Sequence, residues 1–301
     1  MDRINSIDSV EIAKFDSQSW DDEYKCISKP LKLYDDYESA LNTSNADFVY
    51  ISTTNNSHYK LAKMALNAGM HTIIDKPATI ELSETEELLN IATEKNLLLT
   101  ESTVYTYHPQ IKLIKSIFEK ENSKPKLITV LFSFPPFPAD NFRYKKELGG
   151  GALLDTGPYA VSVGRCFFDS LPISCNYLVN NSLDDDLEIS YSLLMKYSDG
   201  RSLIGNFGFN TEYINHINIL GENLFIDVDR VFTIPEDLQN KISVRSKNKS
   251  FEVFSTEANT FEFYLKAVFL IFELGDYTEL YSDMLNDAIA RNLIKKNRLC
   301  Q

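Results

Sequence analysis

The sequence predicts an α/β protein: a parallel, helix-crossed sheet in its first third, then an α+β part with a large, open, mainly antiparallel sheet. Three stretches carry that expectation. Asp47 to Pro77 reads as strand, turn, helix and strand, and two strands joined by a single helix should run parallel with a right-handed crossover. From Lys126 onward, β-branched and alternating runs recur between short turns, the pattern of antiparallel strands. Between these regions, Gly149-Gly150-Gly151 opens an apolar run of helical spacing. A chain of 301 residues with 44% hydrophobic content accommodates two domains, expected at 1–104 and 105–301.

In order, Ser9 to Phe15 reads as a strand, and Asp16 follows it. In a dinucleotide-binding unit an acid at that place accepts the adenosine ribose hydroxyl, after a first strand and a Gly-x-Gly-x-x-Gly turn. Only eight residues precede Ser9, so that strand and turn are absent. Two explanations stay open: a start upstream of Met1, or a shortened relative that has lost normal cofactor binding. The absent strand is central in such a sheet, so its neighbours should lose ladder partners.

Tyr34 to Leu41 reads as a short helix entered through acids, which suit a helix N-terminus. Phe48 to Ser52 is an apolar strand, and Thr53 to Ser57 a turn and cap. Leu61, Met64, Ala65 and Ala68 recur at helical spacing, and Gly69 ends the helix. His71 to Ile74 is the next strand, followed by Asp75-Lys76-Pro77. Ligands bind at the carboxyl ends of such strands, which places Thr53, Asn55 and His58 at one edge with Lys76 and Pro77. Ser83 to Glu86 reads as a capping box, Asn96 as a helix end, Leu97 to Thr100 as a strand, and His108-Pro109 as a helix start.

In the second part, strands are expected at Lys126–Phe134, Ile173–Val179, Leu187–Tyr197, Ser202–Phe209, His216–Leu220 and Leu224–Val228. Two helices follow, one carrying Phe261, Tyr264, Leu265, Val268 and Phe272, the other spanning Tyr277 to Ile294. One face of the sheet should take the helices of this part and the other a second subunit, giving a homodimer or homotetramer.

The net charge of −13 disfavours nucleic acid and anionic membranes as partners. The four cysteines (Cys26, Cys166, Cys175 and Cys300) form no Cys-x-x-Cys pair, which argues against a disulfide scaffold. The four histidines, His58, His71, His108 and His216, lack zinc-ligand spacing, so no metal is expected. There is no Gly-x-Ser-x-Gly elbow of a serine hydrolase. No apolar run is long enough to span a bilayer and the start is not a signal peptide, so a cytoplasmic protein is expected.

Three motifs together resemble the Gfo/Idh/MocA family of nicotinamide-dependent sugar oxidoreductases, from about Ser9 onward. Thr53-Thr54-Asn55-Asn56-Ser57-His58 matches the family's Thr-Pro-Asn-x-x-His-like turn, with Thr54 in place of proline. Asp75-Lys76-Pro77 matches its Glu-Lys-Pro. Gly149-Gly150-Gly151-Ala152-Leu153-Leu154-Asp155-Thr156-Gly157-Pro158-Tyr159 matches its Gly-Gly-Gly-x-x-x-Asp-x-Gly-x-His, with the tyrosine of the branch resembling glucose-fructose oxidoreductase, dihydrodiol dehydrogenase and the nucleotide-sugar ketoreductases. Thr106 stands where the family often has arginine.

The resemblance implies a Rossmann-like first domain that binds NAD or NADP through Asp16, Ser52, Thr53, Asn55, His58, Lys76, Pro77 and Glu101. Asp16 favours NAD, because it repels a 2′-phosphate; the shortened start also leaves open that no cofactor binds. Glu101 either faces the nicotinamide or is an ordinary strand-end acid. The implied substrate is a sugar or nucleotide-sugar, held by Asp155, Arg143, Asn141 and Tyr105, and Arg143 reads equally as a surface ion-pair partner.

Reducing a ketone by hydride needs a proton donor at the developing alkoxide. Tyr159 is the candidate, with Lys76 lowering its phenol pKa from about 10 by favouring phenolate. Asp155 and Tyr159, four residues apart, share a helix face. The plain alternative for Tyr159 is a half-buried core aromatic, and for the whole chain a noncatalytic sugar-binding or scaffold relative.

Overall fold

A computed structural model describes residues 10–13, 29–184, 187–247 and 249–298. Strand β1 (Val10–Ala13) pairs in parallel with β2 (Leu31–Tyr34). Helix α1 (Tyr37–Thr43) is entered at Asp36, whose carboxylate accepts from Ser39 N–H at 2.7 Å. A second parallel sheet has the order β3-β4-β5, from β3 (Phe48–Ile51), β4 (His71–Asp75) and β5 (Leu99–Ser102). Among the described residues no ladder joins the two sheets.

The crossovers follow from local chemistry. Helix α2 (Asn55–Asn67) buries Leu61, Ala62, Ala65 and Leu66 on one face and ends at Gly69, whose φ of +86° suits glycine. Helix α3 (Leu82–Lys95) starts earlier than expected. Glu84 Oε2 accepts from the N–H groups of Ile80 and Glu81 at 3.1 Å each, so the cap lies at Glu81 and not at Ser83. Asn96 ends it in the left-handed region. Strand β5 begins two residues later than expected, which puts Glu101 inside the strand.

After a 3₁₀ turn (Val104–Tyr107) and α4 (Pro109–Lys120), the large sheet begins. Its strands are β6 (Pro125–Ser133), β7 (Ser174–Asp184), β8 (Leu187–Lys196), β9 (Ser202–Gly208), β10 (Ile214–Gly221), β11 (Leu224–Asp229), β12 (Lys241–Ser246) and β13 (Lys249–Phe254). The order is β13-β12-β11-β10-β6-β9-β8-β7, and every neighbouring pair is antiparallel except β6 with β9. Strands β12 and β13 were not among those expected from the sequence. Helix α5 (Ala152–Phe168) and α4 cover the inner face, where Val130, Phe132, Tyr191 and Phe207 form the core.

Of the last two helices, α6 (Thr260–Leu274) leaves the large sheet, while α7 (Thr278–Lys296) packs on both. The β3-β4-β5 sheet is apolar on both faces. Ile51, Ile74 and Leu99 face α2 and α3, while Ile73 and Leu98 face Tyr264, Leu265 and Val268 of α6. The chain therefore returns to close the first sheet, because alternate residues on both its sides need cover. Helix α7 contributes Met284 to that first region and Ala290 and Ile294 to the core of the large sheet. Among the described residues no helix is long and apolar enough to cross a membrane, and no His, Cys, Asp and Glu group could hold a metal ion.

Candidate active site

The carboxyl end of β4 meets the N-terminal turns of α5, and the glycine run explains how. Gly149 has φ +74°, and a Cβ there would stand 2.7 Å from Asn55 Cβ. A Cβ on Gly150 would lie 2.6 to 2.8 Å from the carbonyl oxygens of Arg143, Lys145 and Phe142. The N–H groups of Gly150 and Gly151 donate to Lys145 O at 3.0 Å and Arg143 O at 2.9 Å. The tight turn therefore folds the segment of Arg143 back onto α5. Asn55 and Asn56 clamp it from α2, donating to Gly149 O at 2.7 Å and Glu147 O at 2.6 Å. On the other side Glu188 of β8 accepts from Leu153 N–H at 3.0 Å, filling one open donor of the helix start.

Lys76, Arg143 and Asp155 form an ionic triad. Lys76 Nζ donates to Asp155 Oδ1 at 3.0 Å and to its carbonyl oxygen at 2.8 Å. Arg143 holds the same carboxylate with a fork, Nε to Oδ2 at 2.7 Å and Nη2 to Oδ1 at 3.2 Å. Lys76 Nζ also stands 5.2 Å from the centroid of the Tyr159 ring. Burial works against the Lys76 ammonium, but Asp155 and then Tyr159 hold it well above its ordinary value. Burial likewise opposes the Asp155 charge, and Lys76 and Arg143 keep its carboxyl below the ordinary range.

Tyr159 departs from the expectation. Its phenol is raised: burial outweighs the lowering by Lys76, and Asp155 and Asp75 add to the rise. The ring lies among Phe132, Phe232 and Tyr105, at centroid distances of 4.9, 5.0 and 5.9 Å. Enclosure thus favours the neutral hydroxyl, with the Lys76 ammonium beside the ring.

The other expected site residues divide. Asn141 accepts from Arg143 N–H at 3.1 Å and starts the turn that carries Arg143. Tyr105 is core, its hydroxyl paired with Ser162 Oγ at 2.8 Å. Ser52 is exposed at the end of β3, and Thr53 Oγ1 pairs with Ser57 Oγ at 2.7 Å. His58 is 1% exposed and bridges the two strand-end loops, with Nδ1 2.8 Å from Pro77 O and Nε2 3.1 Å from Thr53 O. Glu101 is buried and paired with Arg291 of α7. Asp16 lies outside the described residues. Glu188, Ser162 and Arg291 escaped the sequence reading, because each works through a partner far away in the chain.

These residues fit the nicotinamide end of a dinucleotide. The ends of β3 and β4, the start of α2, the Lys76 ammonium and the Tyr159 phenol lie along one edge.

Comparison with known proteins agrees. The model of an oxidoreductase family with an NAD-binding Rossmann fold (GFO/IDH/MocA) matches residues 8–103, and that of the GFO/IDH/MocA C-terminal domain matches 113–226. The chain is 30% identical over 212 residues to the dTDP-3,4-didehydro-2,6-dideoxy-alpha-D-glucose 3-reductase of Saccharopolyspora spinosa, covering 70% of this chain and 64% of that protein. It is 26% identical over 229 residues to the trans-1,2-dihydrobenzene-1,2-diol dehydrogenase of Xenopus tropicalis, covering 74% and 66%. The matched segment thus spans about two thirds of either relative's length. The crystal structure of KijD10, a 3-ketoreductase from Actinomadura kijaniata in complex with NADP and TDP-benzene, superposes with a TM-score of 0.90 at 22% identity over 96% of this chain and 90% of that one.

Proposed function

The chain belongs to the GFO/IDH/MocA oxidoreductase family, and from that premise we propose that it is a ketoreductase of a nucleotide-linked sugar, with Tyr159 as proton donor and Lys76 as its electrostatic partner. The observation that carries the reading is the convergence of Lys76, after β4, with Asp155 and Tyr159 of α5. A bound nicotinamide, NAD or NADP, supplies the hydride. Tyr159 gives its hydroxyl proton to the oxygen of the carbonyl being reduced, and Lys76 steadies the phenolate left behind. In the reverse direction Tyr159 takes the proton from the substrate hydroxyl. Asp155, itself held by Arg143, keeps Lys76 in place, and Arg143 and Asn141 line the sugar side. The aromatic wall of Phe132, Phe232 and Tyr105 keeps water from the phenol.

Similarity to enzymes whose names specify dTDP-sugars and TDP-benzene supports a nucleotide-linked substrate. The intact triad favours an enzyme over a noncatalytic scaffold. Division into a nucleotide domain at 1–104 and a substrate domain at 105–301 is part of the same reading, with α6 and α7 returning to the first. The outer face of the large sheet exposes Leu131, Leu178, Ile204 and Leu220 and would pair with a second copy.

The test is a titration of the purified protein with NADH and NADPH, followed by turnover with 3-keto dTDP-sugars. Saturable binding and ketone-dependent oxidation of the nicotinamide are expected. Neither binding nor turnover, with any nucleotide-linked ketone, would sink the reading.

A further inference from the structure

We propose that Arg291 is a positioning residue: acting through Glu101, it fixes the backbone that carries Lys76 and so holds the ammonium beside Tyr159. The proposal rests on the reading of Lys76 and Tyr159 above and goes beyond it, because Arg291 touches neither.

The turn after β4 is held at three points. Lys76 N–H donates to Asp75 Oδ1 at 2.8 Å, Pro77 O faces His58 Nδ1 at 2.8 Å, and Ala78 N–H donates to Glu101 Oε2 at 2.7 Å. Ala78 is fully buried, so its N–H has no recourse to water and needs that acceptor. Glu101 is itself a buried carboxylate. Thr103 Oγ1 donates to its other oxygen at 3.1 Å, and Arg291 Nη1 donates to Oε2 at 3.2 Å. The two side chains are 3% and 7% exposed. A buried carboxylate keeps its charge and its aim only when a cation partners it.

Arg291 does not stand alone. One turn earlier on α7, Asp287 takes a fork from Arg165 of α5, Nε to Oδ1 and Nη2 to Oδ2, both at 2.9 Å. Helix α5 is the one that carries Tyr159. Helix α7 is thus a brace with two ionic grips one turn apart, one on the Lys76 turn and one on the Tyr159 helix. It sets the spacing of the two groups independently of the Lys76–Asp155 ion pair.

Two variants keep the buried charge balanced and so keep the fold: Arg291→Lys, and the double variant Glu101→Gln with Arg291→Met. Hydrogen–deuterium exchange of the segment 76–80 needs neither cofactor nor substrate. In both variants that segment is expected to exchange about tenfold faster or more while α5 and β6 stay protected. In turnover, kcat is expected to fall about threefold to tenfold with KM unchanged. Exchange that is unaltered at 76–80, or raised equally throughout the molecule, overturns the proposal, as does an unchanged kcat. If the parent protein shows no turnover, the functional reading fails, and the exchange pattern still decides the brace.

Discussion

At the residue scale, the site turns on how one carboxylate is shared. Asp155 is nearly enclosed, yet two cations keep it charged. Its folded pKa lies below its unfolded value. The stability it contributes is therefore present above the ordinary aspartate pKa of about 3.9 and is lost as pH falls through the depressed folded value. Asp155→Asn is expected to be less stable at neutral pH, and to lose less than the parent between about pH 5 and pH 2, in urea melts across that range. Lys76 has the opposite sign: its raised value means that its contribution persists at all pH below about 10.4 and fades only in stronger alkali. Tyr159→Phe removes only the hydroxyl and keeps the ring among Phe132, Phe232 and Tyr105. It is expected to lower kcat by about 10²-fold to 10⁴-fold with little change in KM, measured by steady-state reduction of the ketone.

At the element scale, the glycine turn and α7 are the parts that place the site. Gly150 is surrounded by three carbonyl oxygens, and backbone cannot move aside as a side chain does. Gly150→Ala is expected to cost about 1–3 kcal/mol in denaturant unfolding, and to lower activity further by releasing Arg143 from Asp155. Arg165→Met leaves Asp287 buried without its fork. That change is expected to cost about 3–5 kcal/mol in the same measurement, because an uncompensated buried charge remains.

At the scale of the whole molecule, the large sheet has a covered and an uncovered face. Ile204 is 47% exposed on β9, and Thr129 of β6, its partner in register, points the same way. If a second copy covers this face, Ile204→Asp combined with Leu131→Asp is expected to yield a folded monomer by light scattering, because two charges cannot be buried there unpaired. An unchanged assembly state in that variant would exclude this face.

The sequence by itself determined whatever depends on near neighbours. Helical spacing in Leu61 to Ala68, alternation in β6 to β11, the left-handed ends at Gly69 and Asn96, and the three motifs were all legible, because period and turn chemistry are local. The motifs also marked Lys76, Asp155 and Tyr159. Only the tertiary structure decided what depends on distance. Glu101 read either as a group facing a cofactor or as an ordinary strand-end acid, and only the folded chain shows it buried against Arg291, 190 residues away. Tyr105 packs beside the Tyr159 ring with its hydroxyl spent on Ser162. The net rise of the Tyr159 phenol came from enclosure by rings drawn from three elements, a quantity no spacing records. Helix α6 left the sheet that precedes it, and α7 came to span both, because the first sheet is apolar on both faces and such a face accepts cover from wherever the chain can supply it.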